Sequence, residues 1–304
     1  MKSLKIVVLA KQVPDTRNVG KDAMKADGTV NRAALAAIFN PEDLNALEEA
    51  LRVRDQHGGT VTVIAMGLPA ACDVLRDSLF RGADRAILIT DRRAAASDTL
   101  ATSYILSCAV RKLKPDLVFC GRQAIDGDTA QVGPQLAEKL GYTLVTYLEE
   151  LELDGRMARV KRNIGNGYER VRSRLPALFT VMETANHPRP PALLKALKCK
   201  KARAPVEIAK AVDGTLGASA TPEAKSAETA RRCADMQAQN LLITQWNLDD
   251  IEADLGWCGG AGSPTKVHRI QSIVLAGGDY KEFPPTDSGV ASLIGELIQD
   301  HTIG

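Results

Sequence analysis

Short apolar runs alternate with amphipathic stretches along the first two thirds of the chain, and their periods predict alternating strands and helices. Leu4 to Ala10 (LKIVVLA) is apolar and β-branched nearly throughout, the pattern of a central parallel strand covered on both faces. Pro14 stops it, leaving Lys11, Gln12 and Asp15 at its carboxyl end. Asn40-Pro41 marks a turn into a helix over Glu42 to His57, with Leu44, Leu47, Leu51 and Val53 on or near one face and Gly58-Gly59 as its stop. Thr60 to Ala65 reads as the next strand, Pro69 to Arg81 as a helix opened by proline and closed by Gly82, and Ala86 to Ile89 as a strand. Ser97-Asp98-Thr99 is a capping cluster for a helix ending near Lys112. Strand, helix and strand at intervals of about thirty residues give the rhythm of an α/β protein with a doubly wound, mainly parallel sheet.

Lys114 to Leu140 is the stretch around which this rhythm is organised. Asp116 to Cys120 (DLVFC) has the length of a buried parallel strand, and Gly121 ends it. Gln123 to Asp128 is polar, Thr129 stands near an expected helix start, and Val132, Leu136 and Leu140 recur every four residues. The loop and helix N-terminus therefore lie at the carboxyl edge of the sheet, where open α/β folds bind ligands. Two readings stay open on pattern alone: an ordinary strand-to-helix connection, or a nucleotide site without a G-x-G-x-x-G or G-x-x-x-x-G-K-[ST] signature. Asn40 either initiates its turn or bonds a ligand. Ser97 to Thr99 either caps a helix or, with Arg92 or Arg93, faces a phosphate.

After Leu140 the period changes to that of strands. Leu144 to Tyr147, Met157 to Arg162 and Tyr168 to Arg174, turned at Asp154-Gly155 and Gly165-Asn166-Gly167, predict an antiparallel ribbon, and Ala177 to Met182 returns to the core. His187 to Leu194 is a proline-rich loop with leucines at its end, which points to a partner surface. Ala211 to Gln239 reads as a linker plus a surface helix, Gly259 to Lys266 as a glycine turn leading into a basic segment, and Val290 to Ile298 as a helix with an apolar stripe. The expected organisation is an α/β domain over 1–210, a linker or inserted helix over 211–240, and an extended C-terminal arm over 241–304.

Composition narrows the function. The 304 residues, 45% hydrophobic, suffice for a full core, and a net charge of +2 without a basic stripe argues against nucleic acid. The six cysteines are scattered, with no C-x-x-C and no histidine at ligand spacing, so no metal site is expected. Cys108 and Cys120 fall in apolar periods as small buried residues. His57, His187, His268 and His301 fall in loops, helix ends or tails, and no catalytic side chain is assigned. Ile6 to Ala10 is too short for a signal peptide and no segment reaches membrane length, so the expected compartment is cytoplasmic.

Taken together, V-x-A-K-Q-V-P-D at the end of the first strand, Asn40-Pro41, the A-x-G-A-D-R-A-like run at Phe80 to Ala86, G-R-Q-A-I-D-G-D-T-A-Q-V-G-P over Gly121 to Pro134, and G-S-P-T-K-V over Gly262 to Val267 closely resemble the beta (small) subunit of electron-transfer flavoproteins. The resemblance implies pairing with an alpha subunit that carries flavin adenine dinucleotide (FAD), makes 1–210 the nucleotide- or flavin-binding domain, and has the 241–304 arm pack on that alpha subunit. It further implies that this subunit holds AMP in simple members, or the AMP part of a second FAD in electron-bifurcating members. The residues it marks for the nucleotide are Leu9, Asn40, Pro41, Met66, Gly67, Gln123, Ala124, Ile125, Asp126, Gly127, Asp128, Thr129, Ala130, Gln131, Val132 and Gly133. Thr90 to Thr102 resembles the stretch that sets bifurcating members apart, which adds Arg92, Ser97, Asp98, Thr99 and Thr102; Ala94 and Ala96 replace an aromatic and a glycine usual there. Three functions follow in turn: NADH oxidation with bifurcation to ferredoxin or flavodoxin and to a flavin dehydrogenase of the acyl-CoA dehydrogenase kind, a simple electron carrier with structural AMP, or an adenine-nucleotide-binding regulatory domain. The family's recognition loop for the dehydrogenase aligns with Asn186 to Lys201, with Leu193, and Leu194 beside it, at the anchoring position. The segment around Gly214 to Gln239 has no counterpart in that resemblance.

Overall fold

The strand Lys5–Leu9 (β1) is buried from Ile6 onward because its alternate residues face two separate apolar layers. Ile6 and Val8 join one core, Val7 and Leu9 the other, which is what an unbroken apolar run is for. The computed structural model describes residues 3–15, 35–217, 220–265 and 281–299. Around β1 it assembles β4 (Thr60–Met66), β5 (Arg85–Ile89), β6 (Leu117–Gly121), β7 (Thr143–Asp154), β8 (Met157–Asn163), β9 (Tyr168–Arg174), β10 (Ala177–Val181) and β11 (Thr244–Trp246). The order across the nine-stranded sheet is β11-β5-β4-β1-β6-β10-β7-β8-β9, parallel except where β8 and β9 run antiparallel. Helices α1 (Pro41–His57) and α2 (Cys72–Arg81) cover one face, and α3 (Thr99–Leu113) and α4 (Val132–Leu140) cover the other. The chain winds outward from β1 through β4 to β5, then crosses back to β6 on the other side of β1. The switch point lies between β1 and β6, and the loop after β6 opens there.

The doubly wound sheet and the ribbon are as the sequence predicts, with differences that have local causes. Pro14 does not simply end a strand: Gln12–Pro14 (β2) pairs antiparallel with Ala37–Phe39 (β3), in a two-stranded ribbon whose last position needs no proline N–H. The helix expected near Thr129 begins at Val132, because Asp128 (φ 48°) and Ala130 (φ 53°) adopt the left-handed conformation, which a helix cannot include. β7 continues to Asp154 through a register shift at Tyr147 (φ 57°). The ribbon then returns toward the amino edge, where Arg156 bonds Asp116 at 2.9 Å. Leu193 and Leu194 do not end a loop; they open the short helix α5 (Leu193–Cys199), still 71% and 82% exposed.

Residues 211–216 are not linker. They complete α6 (Pro205–Leu216), whose Ile208 and Val212 are buried, and α7 (Pro222–Ala238) is the expected surface helix. The first part of the C-terminal segment is no free arm either, since β11 extends the sheet beside β5 and Leu248, Ile251 and Cys258 are buried in the core. The glycine turn is the short helix α8 (Gly259–Gly262). The last helix, α9 (Asp287–Gln299), exposes Val290, Leu293, Ile294 and Ile298. The basic segment from Lys266, together with His268 and His301, lies outside the described residues. Among the described residues, no helix is long and apolar enough to cross a membrane.

Candidate functional site

The start of α1 is pressed into the switch point. A Cβ on Gly121 would lie 2.7 Å from Asp43 Oδ1, so glycine at the end of β6 lets the helix approach. Asp43 accepts from Lys11 N at 2.9 Å and Gly121 N at 2.8 Å, tying the ends of β1 and β6 together. Burial, opposed by those backbone bonds and by Asn40 and reinforced by the charge of Glu42, pushes the Asp43 carboxyl up to about 7. Glu42 accepts from Gln123 N at 2.9 Å and pairs with Arg122 at 3.0 Å. Asn40 donates to Gln123 O at 2.8 Å and accepts from Ile125 N at 3.1 Å. It is fully buried, so it builds the loop and does not line an opening.

The loop itself is a tight turn, with Gly127 and Asp128 both donating to Ala124 O. Lys11 clasps Asp126 at 2.7 Å, and Gln123 donates to Asp128 Oδ1 at 2.9 Å. The left-handed residues Asp128 and Ala130 then curve the chain into α4. Among the described residues, the N–H groups of Thr129, Ala130, Gln131, Val132 and Gly133 have no acceptor. Gly133 is needed for packing: a Cβ there would stand 2.8 Å from Thr180 Cγ2 and 3.0 Å from Cys120 Sγ. A curved row of unpartnered donors at a helix N-terminus fits an anionic phosphate, and Gly127 borders open space. Leu9 is buried at the end of β1, while Pro41 and Met66 are half-buried and Gly67 exposed around the same edge.

The second stretch arrives at this rim through α3. Thr99 Oγ1 donates to Gln131 Oε1 at 2.8 Å, joining the starts of α3 and α4, and Thr102 lies half-buried one turn further on. Ser97 and Asp98 are engaged within the chain. The Ser97 hydroxyl donates to Ala94 O and accepts from Gly259 N, and Asp98 caps Ala101 N while accepting from Thr265 N. Desolvation raises the Asp98 carboxyl, but these donors outweigh it and leave the group below the ordinary carboxylate range. The 258–265 turn therefore occupies the cap that the sequence offers to a phosphate. Arg93 is held by Asp91 at 2.6 Å and Asp249 at 2.7 Å, whereas Arg92 is exposed and has no side-chain partner among the described residues.

The model of the electron transfer flavoprotein domain matches residues 27–213. The chain belongs to the electron transfer flavoprotein family. It is similar over nearly its whole length to beta subunits of that family. An electron transfer flavoprotein subunit beta from Clostridium acetobutylicum is 38% identical, with 99% of this chain and 100% of the relative covered. The CarD subunit of a caffeyl-CoA reductase-Etf complex from Acetobacterium woodii is 38% identical at the same coverage. The protein FixA of Azorhizobium caulinodans is 46% identical, with 95% and 93% covered. In this electron transfer flavoprotein subunit the sequence motif Gly121 to Pro134 is the built loop. Lys11 and Arg122, which help to hold it, fall inside quoted motifs without being marked for that role, and Glu42 and Asp43 carried no motif. Their signal was two acids in the first turn directly after Asn40-Pro41, which pattern alone reads as helix-dipole complements.

Proposed function

We propose that the chain is the beta subunit of a heterodimeric electron-transfer flavoprotein, with the adenosine-phosphate part of an FAD against the Gln123–Gly133 loop. In this reading the heterodimer oxidises NADH and divides the electrons between a low-potential carrier, ferredoxin or flavodoxin, and an acyl-CoA dehydrogenase-like partner, with a further FAD in the alpha subunit. A bound flavin supplies hydride acceptance and single-electron release, for which this chain assigns no side chain. The chain's own part is to bind and orient. The N–H row from Thr129 to Gly133 meets phosphate, Asn40, Glu42 and Lys11 fix the loop, and Arg92 stands exposed where a further phosphate negative charge is met.

The observation that carries the reading is the hydrogen bond from Thr99 to Gln131, which makes one rim of the two stretches that the family resemblance marks. The name of the caffeyl-CoA reductase complex relative supports a CoA-ester reductase or dehydrogenase as partner. A second reading, structural AMP with the alpha-subunit flavin as the only carrier, is favoured by Asp98. That carboxylate already caps α3, so of the two helix starts at this rim only that of α4 is without a side-chain cap. Arg92→Ala combined with Thr99→Val, in a co-expressed heterodimer, separates the two. The expected result is loss of one of two flavins with the alpha-subunit flavin retained; a parent and variant of equal flavin content count against the first reading.

A further inference from the structure

Away from the nucleotide rim, the ribbon carries its charges in rows. In the strand register Glu150, Lys161 and Arg170 lie side by side, as do Glu152, Arg159 and Arg172, while Arg174 lies beside Met157. Period-two alternation puts these on one face, and the opposite face buries Ala158, Val160 and Ser173. Of the acids of β7 on this face, Glu150 pairs with Lys161 at 3.0 Å and Asp154 with Arg159 at 3.3 Å, while Glu152 makes no ion pair among the described residues. Among the described residues, Arg170, Arg172 and Arg174 have no carboxylate within ion-pair distance. Two of them face like charge directly, Arg170 opposite Lys161 and Arg172 opposite Arg159, an arrangement that costs stability in an antiparallel pair. An edge strand needs charge to resist pairing with another chain, but not charge of one sign along one face.

At the end of the same row Tyr168 is 58% exposed and Ile164 46%. Lys161 and Arg170 stand 5.1 and 5.9 Å from the Tyr168 ring. Exposed tyrosine beside arginine is the composition of interface anchors. A trough of about 400 Å³ runs among Glu150, Lys161, Arg170 and Arg172.

We propose that this face docks a small carboxylate-rich protein, with Arg170, Arg172 and Arg174 meeting its acids and Tyr168 serving as the apolar anchor. Charge complementarity selects that occupant. A second copy would oppose its own positive row, and the carboxylates of β7 behind the arginines repel a continuous polyphosphate. That the docked protein is an electron carrier rests on the function proposed above.

The test uses the intact heterodimer and a ferredoxin of net negative charge as probe. Arg170→Glu with Arg172→Glu gives Lys161 and Arg159 new cross-strand partners, so the ribbon keeps its pairing; Tyr168→Ala is made separately. Both variants are expected to raise the KM for ferredoxin, the charge reversal by about tenfold or more, with kcat kept. The parent's KM should also climb with salt, while that of the reversal should not. Unchanged KM and salt dependence in the reversal overturn the proposal, as does dissociation of its heterodimer on size exclusion, which would assign the face to the alpha subunit. NADH oxidation with a small dye acceptor is read in parallel. Its absence from the parent would count against the function proposed above, and ferredoxin binding to immobilised heterodimer would still decide the docking face.

Discussion

Asn40 has no exposed surface, and its amide is divided between Gln123 O and Ile125 N. Truncation to alanine strips partners from two part-buried backbone groups, at about 1–3 kcal/mol for each one that water does not reach. Asn40→Ala is therefore expected to lower the urea midpoint and to release bound nucleotide together. Loss of stability with full nucleotide content would show that the loop does not depend on this residue. Asp43, one turn on, makes a pH prediction. Its folded value of about 7 lies above the ordinary 3.8, so between roughly pH 4 and 7 the native state binds more protons than the unfolded chain. Its contribution to stability is greatest below that window, declines as pH rises through it, and is level above. Denaturation midpoints between pH 5 and 8 should show this decline in the parent and a flatter, lower curve in Asp43→Asn, which loses one acceptor for its two backbone donors. Equal slopes would remove Asp43 from the account.

At the scale of elements, the loop between β6 and α4 and the helix α5 carry the predictions. Asp128→Gly with Thr129→Ala keeps the left-handed turn accessible while deleting both side chains, and is expected to reduce bound nucleotide in a folded protein. Unchanged content would assign binding to the backbone donors alone. Leu193→Ala is expected to cost roughly 2 kcal/mol of dehydrogenase binding, as for an anchor entering a desolvated pocket, with NADH-dependent reduction intact; normal binding by calorimetry would contradict it. Lys195 and Lys198 lie in that helix and Lys200 and Lys201 just after it, and replacing them by glutamine is expected to slow association with an acidic partner.

The parallel strands were legible because two-sided burial writes an unbroken apolar run, as in Ile6 to Leu9 and Leu117 to Cys120. The site loop was legible through its motif. The start of α4 was not, because nothing in the residue type marks Ala130 for a left-handed conformation. The use of Ser97 and Asp98 by the 258–265 turn was hidden as well, since that contact joins residues more than 160 positions apart. α5 was masked by the prolines before it, which forbid a helix interior but not a helix that begins just after them.

On the scale of the whole molecule, the sheet accounts for the residues through β11, and the 241–262 segment packs on this subunit's own core. Among the described residues, α9 keeps an apolar stripe exposed at Val290, Leu293, Ile294 and Ile298, proposed as a surface for the alpha subunit. The division of labour proposed for the heterodimer comes down to what sits at the rim joining Thr99 to Gln131. The most direct measurement is the nucleotide content of the co-expressed, natively purified heterodimer, released by denaturation and quantified by chromatography. Two FAD per heterodimer and no AMP is the result this account predicts; one FAD with one AMP would contradict it.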